Sequence, residues 1–146
     1  MDLPKTLQVL ETLGVPVVTF GQDELPAFWS RSSGLRSPIR MNSAEEIARS
    51  QLIREALSIP GGQLVANPIP AYAEIPFQEI LPIIKKAHLE ANKENISDKN
   101  LTPFLLEKVF NLTDGASLTA NIELVKNNAS LACKVASSLI TEKSRL

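Results

Sequence analysis

Three observations predict an α/β fold for this sequence. Helical spacing of apolar residues alternates with short apolar runs over the first half of the chain. The runs Val15-Pro16-Val17-Val18-Thr19-Phe20 and Gln63-Leu64-Val65-Ala66 have the length and β-branched content of buried strands. The last third follows a helical pattern almost without interruption, which makes the fold helix-rich towards its carboxyl end.

Taken in order, Leu3, Leu7, Leu10 and Leu13 recur at helical steps, with Asp2 placed to cap the first turn and Gly14 to end the helix. Pro16 has no N–H to donate, so it confines the strand that follows to a strand's start or a sheet edge. From Gly21 to Met41 there is little periodicity. Ala27-Phe28-Trp29 is a candidate short strand, and Ser30 to Pro38 reads as a polar, flexible loop. Its hydroxyls (Ser33 among them), the backbone N–H groups freed by Gly34 and the fork of Arg31 are groups that cradle phosphate, although such composition also makes an ordinary solvated loop.

Ser43-Ala44-Glu45-Glu46 has the form of a capping box and starts a helix expected to run to about Leu57, where Pro60-Gly61-Gly62 breaks it. The second apolar strand then ends at Asn67-Pro68-Ile69-Pro70. Ligands of open α/β folds gather beyond the carboxyl ends of strands, which makes Asn67 a site candidate; an Asn before Pro is equally a turn starter. Phe77, Ile80, Leu81, Ile84 and His88 share one helical face, and Pro82 should kink that helix or delay its start. His88, the sole histidine, has no metal-ligand spacing around it. Thr102 as N-cap with Pro103 behind it opens a helix from Phe104 to Leu112.

The final helix runs from Ser117, a candidate N-cap, to Ile140. Leu118, Ile122, Val125, Ala129, Ala132, Ala136 and Leu139 fall at steps of three and four, with Leu124, Leu131 and Val135 on the flank, so more than half of the circumference is apolar and the helix is expected to be mostly buried. Thr119, Glu123, Lys126, Asn127, Ser130 and Lys134 occupy the remaining arc. Asn121 and Asn128 lie inside the apolar one and should face the interior, where an amide must be paired. Protein groups satisfy most such amides. Asn121 is the better functional candidate, because the turn Thr113-Asp114-Gly115-Ala116 places it near the positive end of the helix.

At 146 residues and 44% hydrophobic content the chain is long and apolar enough for one domain with a core. Fifteen basic against sixteen acidic residues, without a basic run, argue against nucleic acid as a partner. No apolar run is long enough to span a bilayer, and the amino terminus does not read as a signal peptide. One cysteine, Cys133, excludes an internal disulfide and is expected to be a small buried thiol on the last helix. These features point to an intracellular protein.

Ser-Leu-x-Ala-Asn-Ile-x-Leu-Val-Lys-Asn-Asn-Ala-x-Leu-Ala, from Ser117 to Ala132, resembles the carboxyl-terminal signature of pseudouridine-5′-phosphate glycosidases, the indigoidine synthase A-like family. Further matches run in the same order: Asp2-Leu3-Pro4-x-Thr6-Leu7, Leu10 to Val15, Pro26-Ala27-Phe28, Ser30-Arg31-x-Ser33-Gly34, Gly61 to Pro70 and Thr102 to Leu106. Where the family commonly has an acidic residue, this chain has Ser32. The resemblance implies the carboxyl-terminal part of an α/β/α layered fold with a mixed sheet, so residues 1–146 read as a single partial domain.

Implied too is the family's activity, reversible cleavage of the carbon–carbon glycosidic bond of pseudouridine 5′-phosphate to uracil and ribose 5-phosphate by a trimer. In the family a lysine holds the opened ribose as an imine, carboxylates move protons and a divalent manganese lies near the substrate. The lysine, the general-acid glutamate and the metal-site aspartate of the family have no counterpart in this chain, so no metal ligand is expected in it. Lys126, the lysine nearest the signature amides, lies on the polar arc and is not a substitute. What the resemblance carries over is Asn121 as the amide reaching the active site, with Asn128 supporting it; with Asn128, the strand-end Asn67 and the loop residues Arg31 and Ser33 noted above are the substrate-binding candidates. The alternative is a non-catalytic relative that binds sugar phosphates or other subunits.

Overall fold

The computed structural model describes residues 3–144. Helix α1 (Leu3–Thr12) leads into strand β1 (Val17–Phe20), followed by β2 (Ile39–Met41), α2 (Ala44–Ala56), β3 (Leu64–Ala66), α3 (Phe77–Lys93), α4 (Leu101–Leu112) and α5 (Ala116–Lys143). Single 3₁₀ turns at Ala71–Ala73 and Asp98–Asn100 precede α3 and α4. Asp2, expected to cap α1, lies outside the described residues. Gly14, at φ +67°, does end α1, and the amides of Gly14 and Val15 return to the carbonyls of Glu11 and Leu10.

β1 is the middle strand of a three-stranded sheet in the order β2-β1-β3. Val18 stands opposite Ile39 on one side and Val65 on the other. Pro16 therefore marks the start of a central strand and not a sheet edge, and its carbonyl accepts the Leu64 N–H at 2.9 Å. Val17, Val18 and Thr19 are all buried, as parallel strands covered on both faces must be. The sheet, expected to be mixed, is parallel in all its described strands; among the described residues the antiparallel exception is one isolated bridge between Glu24 and Arg36.

Ser43 caps α2 as its sequence requires: Oγ accepts the Glu46 N–H at 3.2 Å, and the Glu46 carboxylate reaches back to the Asn42 N–H at 2.6 Å. Such a cap stabilises a helix by about 1 kcal/mol. α2 packs on α5, and Arg49–Glu142 and Glu55–Lys143 ion pairs join their outer surfaces. α3 packs on α4, where Lys108 meets Glu90 and Glu94. The core between these pairs gathers Trp29, Ile69, Ile80, Ala87, Val109, Ala120 and Leu124.

Several expectations need correction. Ala27 to Trp29 form no strand: Trp29 turns its ring into the core, and its indole N–H donates to the Ser117 carbonyl at 3.1 Å. β2 carries no signal in the sequence, since its three residues show no alternation. α3 starts at Phe77 with Pro82 inside it, so that proline does not delay the start. α4 begins at Leu101, ahead of Thr102, because the preceding 3₁₀ turn feeds directly into it. Ser117 is not the cap of α5. Gly115, at φ +84°, takes the cap position and Ser117 is buried in the first turn.

The largest departure concerns the orientation of α5. Its buried side is Ser117, Ala120, Leu124 and Leu131, whereas Leu118, Ile122, Val125, Ala129, Ala132 and Ala136 face outwards. Cys133 is likewise exposed and not a buried thiol. With apolar residues over more than half of the circumference, periodicity alone could not say which part of that arc the chain itself would cover.

Candidate functional site

The carboxyl ends of parallel strands carry a row of loops, and here two of them face α5. Past β1 the chain continues through Gly21; past β3 it enters Asn67-Pro68-Ile69-Pro70. The two prolines stiffen that corner and remove donors from it, so its carbonyls need side-chain partners. The Asn127 amide donates to the Pro68 carbonyl at 2.9 Å, and the Arg31 guanidinium to the Ile69 carbonyl at 2.9 Å and to Gln22 Oε1 at 3.3 Å. Asn67 is half-buried and donates to Asn128 Oδ1 at 3.1 Å.

Between these groups lies a cleft of about 310 Å³ lined by Phe20, Gly21, Arg31, Asn67, Pro68, Pro70, Asn127, Ser130, Leu131 and Lys134. Two cations, two amides and a hydroxyl face it, and among the described residues no carboxylate lines it. Such a lining suits an anionic ligand bearing hydroxyl groups. Among the described residues that line it there is no carboxylate or imidazole to move a proton.

The candidates from the sequence are divided by this geometry. Arg31 and Asn67 line the cleft, and Asn128 touches it through Asn67, although Asn128 is exposed where an interior position was expected. Asn121 is half-buried on another flank of α5 and does not line the cleft. Asn127, Ser130 and Lys134, read as part of the polar arc of the helix, are the polar residues α5 presents to the cleft, beside Leu131. Their steps of three and four on one face were legible, but not that the end of β3 would cross that face.

Ser33 has a different occupation. Its hydroxyl donates to the Leu25 carbonyl, while its N–H and that of Gly34 both donate to the Glu24 carboxylate, which the Ser32 hydroxyl also reaches. The anion held by the serine-rich loop is therefore the chain's own Glu24. The Ser32 hydroxyl, then the Gly34 amide, hold its carboxyl below the usual carboxylate range. Nearby, Glu74 accepts the Ser30 hydroxyl and the Arg31 N–H, so the loop is anchored twice and not free.

Elsewhere, Lys126 is exposed and paired with Glu123 at 2.7 Å, as its place on the polar arc implied. His88 is partly buried on α3, away from the cleft, and burial pushes its pKa down. Among the described residues no group of three or more His, Cys, Asp or Glu is arranged to hold a metal ion. By themselves these residues do not offer a manganese ion a full ligand set. Among the same residues no helix is long and apolar enough to cross a membrane.

With that geometry in place, comparison with known proteins gives consistent results. The sequence model of the family described as indigoidine synthase A like protein matches residues 1–138. A pseudouridine-5′-phosphate glycosidase of Jannaschia sp. (strain CCS1) is 59% identical over 141 residues, which are 97% of this chain and 47% of that protein. One of Legionella pneumophila is 56% identical over 136 residues, 93% of this chain and 44% of its own length. The chain thus spans about half the length of the curated relatives it matches. Among solved structures, an indigoidine synthase A-like protein from Thermotoga maritima superposes with a TM-score of 0.81 at 36% identity, covering 93% of this chain and 44% of that one. The prealnumycin C-glycosynthase AlnA, in complex with ribulose 5-phosphate, superposes with a TM-score of 0.90 over 100% of this chain and 48% of its own; at 24% identity it speaks for the fold alone.

Proposed function

The chain belongs to the indigoidine synthase A-like family, and from that membership we propose that it forms the carboxyl-terminal half of a pseudouridine-5′-phosphate glycosidase. The observation that carries this reading is 59% identity to a glycosidase maintained over 97% of the chain. The reaction would be the reversible parting of pseudouridine 5′-phosphate into uracil and ribose 5-phosphate.

The cleft supports the reading by its chemistry. A pentose phosphate carries a dianionic group and several hydroxyls; Arg31 and Lys134 match the first, Ser130 and the amides of Asn67 and Asn127 the second. In this reading the present half binds and orients substrate. Imine formation, proton transfer and manganese binding belong to the other half of the enzyme, and the completed enzyme is an intracellular trimer. Asn121 serves that other half, with Asn128 holding Asn67 in place.

The test is uracil release from pseudouridine 5′-phosphate. A chimera in which this chain replaces the matched segment of the Jannaschia glycosidase is expected to release uracil, and the 146-residue chain alone is not. Release by the isolated chain, or none by a folded chimera, would overturn the proposal.

A further inference from the structure

α5 has two apolar sides, and the chain covers one of them. Ala120, Leu124 and Leu131 point into the core. On the opposite side Leu118, Ile122 and Val125 are 50%, 46% and 59% exposed, and Ala129, Ala136 and Ile140 continue the row. At 1.5 Å per residue this stripe runs for roughly 33 Å. A helix with apolar residues on two sides and polar ones on the arc between them is one that other elements cover on both apolar sides, and a continuous exposed apolar row marks a contact surface.

The occupant can be argued from size and from the sheet. A stripe that long and about one helix diameter wide offers roughly 300 Å², well under the 800 Å² or so per partner of a stable two-body interface. On its own it does not hold a second copy. The sheet gives a second sign: in the described residues β2 and β3 each leave one edge unpaired, and Ile39 and Leu64 stay exposed there. Stripe and sheet edges together ask for a large body with its own secondary structure. More than half of each matched relative has no counterpart in this chain, although this chain superposes on solved members as one unit.

We infer that the Leu118–Ile122–Val125 stripe of α5 is the surface against which the unmatched half of the family fold packs. Asn121, half-buried at the edge of the stripe, then lies at the seam between the halves and not in the cleft of this one. The inference rests on the family membership behind the proposed function, but not on the activity.

The double substitution Ile122→Lys with Val125→Lys tests it. In the isolated chain both positions are exposed, and Tm is expected to move by less than about 2 °C. In the Jannaschia chimera the charges become buried, and a fall of at least about 5 °C is expected. Should the parent chimera fail to fold, the same pair at the aligned positions of the Jannaschia glycosidase gives the same reading. Equal shifts in the two settings would overturn the inference. So would a change of oligomeric mass on substitution, in either protein, because a further copy would then be the occupant. A chimera destabilised by the charges but without uracil release in its parent form keeps the docking surface and sinks the glycosidase reading; activity without destabilisation does the reverse.

Discussion

Glu24 shows how a single side chain redirects a motif. A loop of serines, a glycine and an arginine offers N–H and O–H groups to an anion, and Glu24, six residues before Ser30, fills that role from within the chain. Because the folded carboxyl titrates below its ordinary value near 4.5, its contribution to stability is fully present above that value and is lost as pH falls through the lower folded one. Wild type should therefore melt above Glu24→Gln at pH 6, with the difference closing below about pH 4.5. A gap that stays constant to pH 3 would show that the carboxylate is not what the loop holds. The groups of this loop were legible in the sequence as anion ligands. Which anion they hold was not, because the pairing depends on a backbone path that no periodicity encodes.

Between elements, Trp29 joins the loop region to α5. Its ring packs among Ile69, Ile80 and Leu124, edge-on to Phe28, and its N–H is spent on the first turn of α5. Trp29→Ala should cost about 3–5 kcal/mol, with Trp29→Phe costing less because it keeps most of the apolar volume and loses the hydrogen bond; urea unfolding of the two variants measures the difference. Capping and breaker residues made α1, α2 and β3 readable to within a residue or two. β2 is three residues without alternation, and the start of α5 went to Gly115 because a left-handed turn outranked a serine cap. The apolar character of α5 was legible as well. Its facing was not, since a helix with two greasy sides gives a periodicity no unique phase.

For the whole molecule, these two sides separate what the sequence had joined. Asn67 and Arg31 meet in the cleft, whereas Asn121 belongs to the flank next to the uncovered stripe. Asn121→Ala in the chimera is accordingly expected to lower uracil turnover at least tenfold, about 1.4 kcal/mol at the transition state, with little change in Tm; parallel losses in both would return Asn121 to a structural role. The composition and the alternating first half were enough for the fold class, because both reflect local patterns. Contacts at long range, such as Asn127 to Pro68, come only with the packed chain. That last contact has a mechanical consequence. Pro68 and Pro70 have a fixed φ, and Asn127 and Arg31 grip the carbonyls of Pro68 and Ile69 from separate parts of the chain, so one wall of the cleft is braced like a strut between two walls. A guest arriving there would meet a shape set in advance, and little of its binding free energy would go to ordering the host.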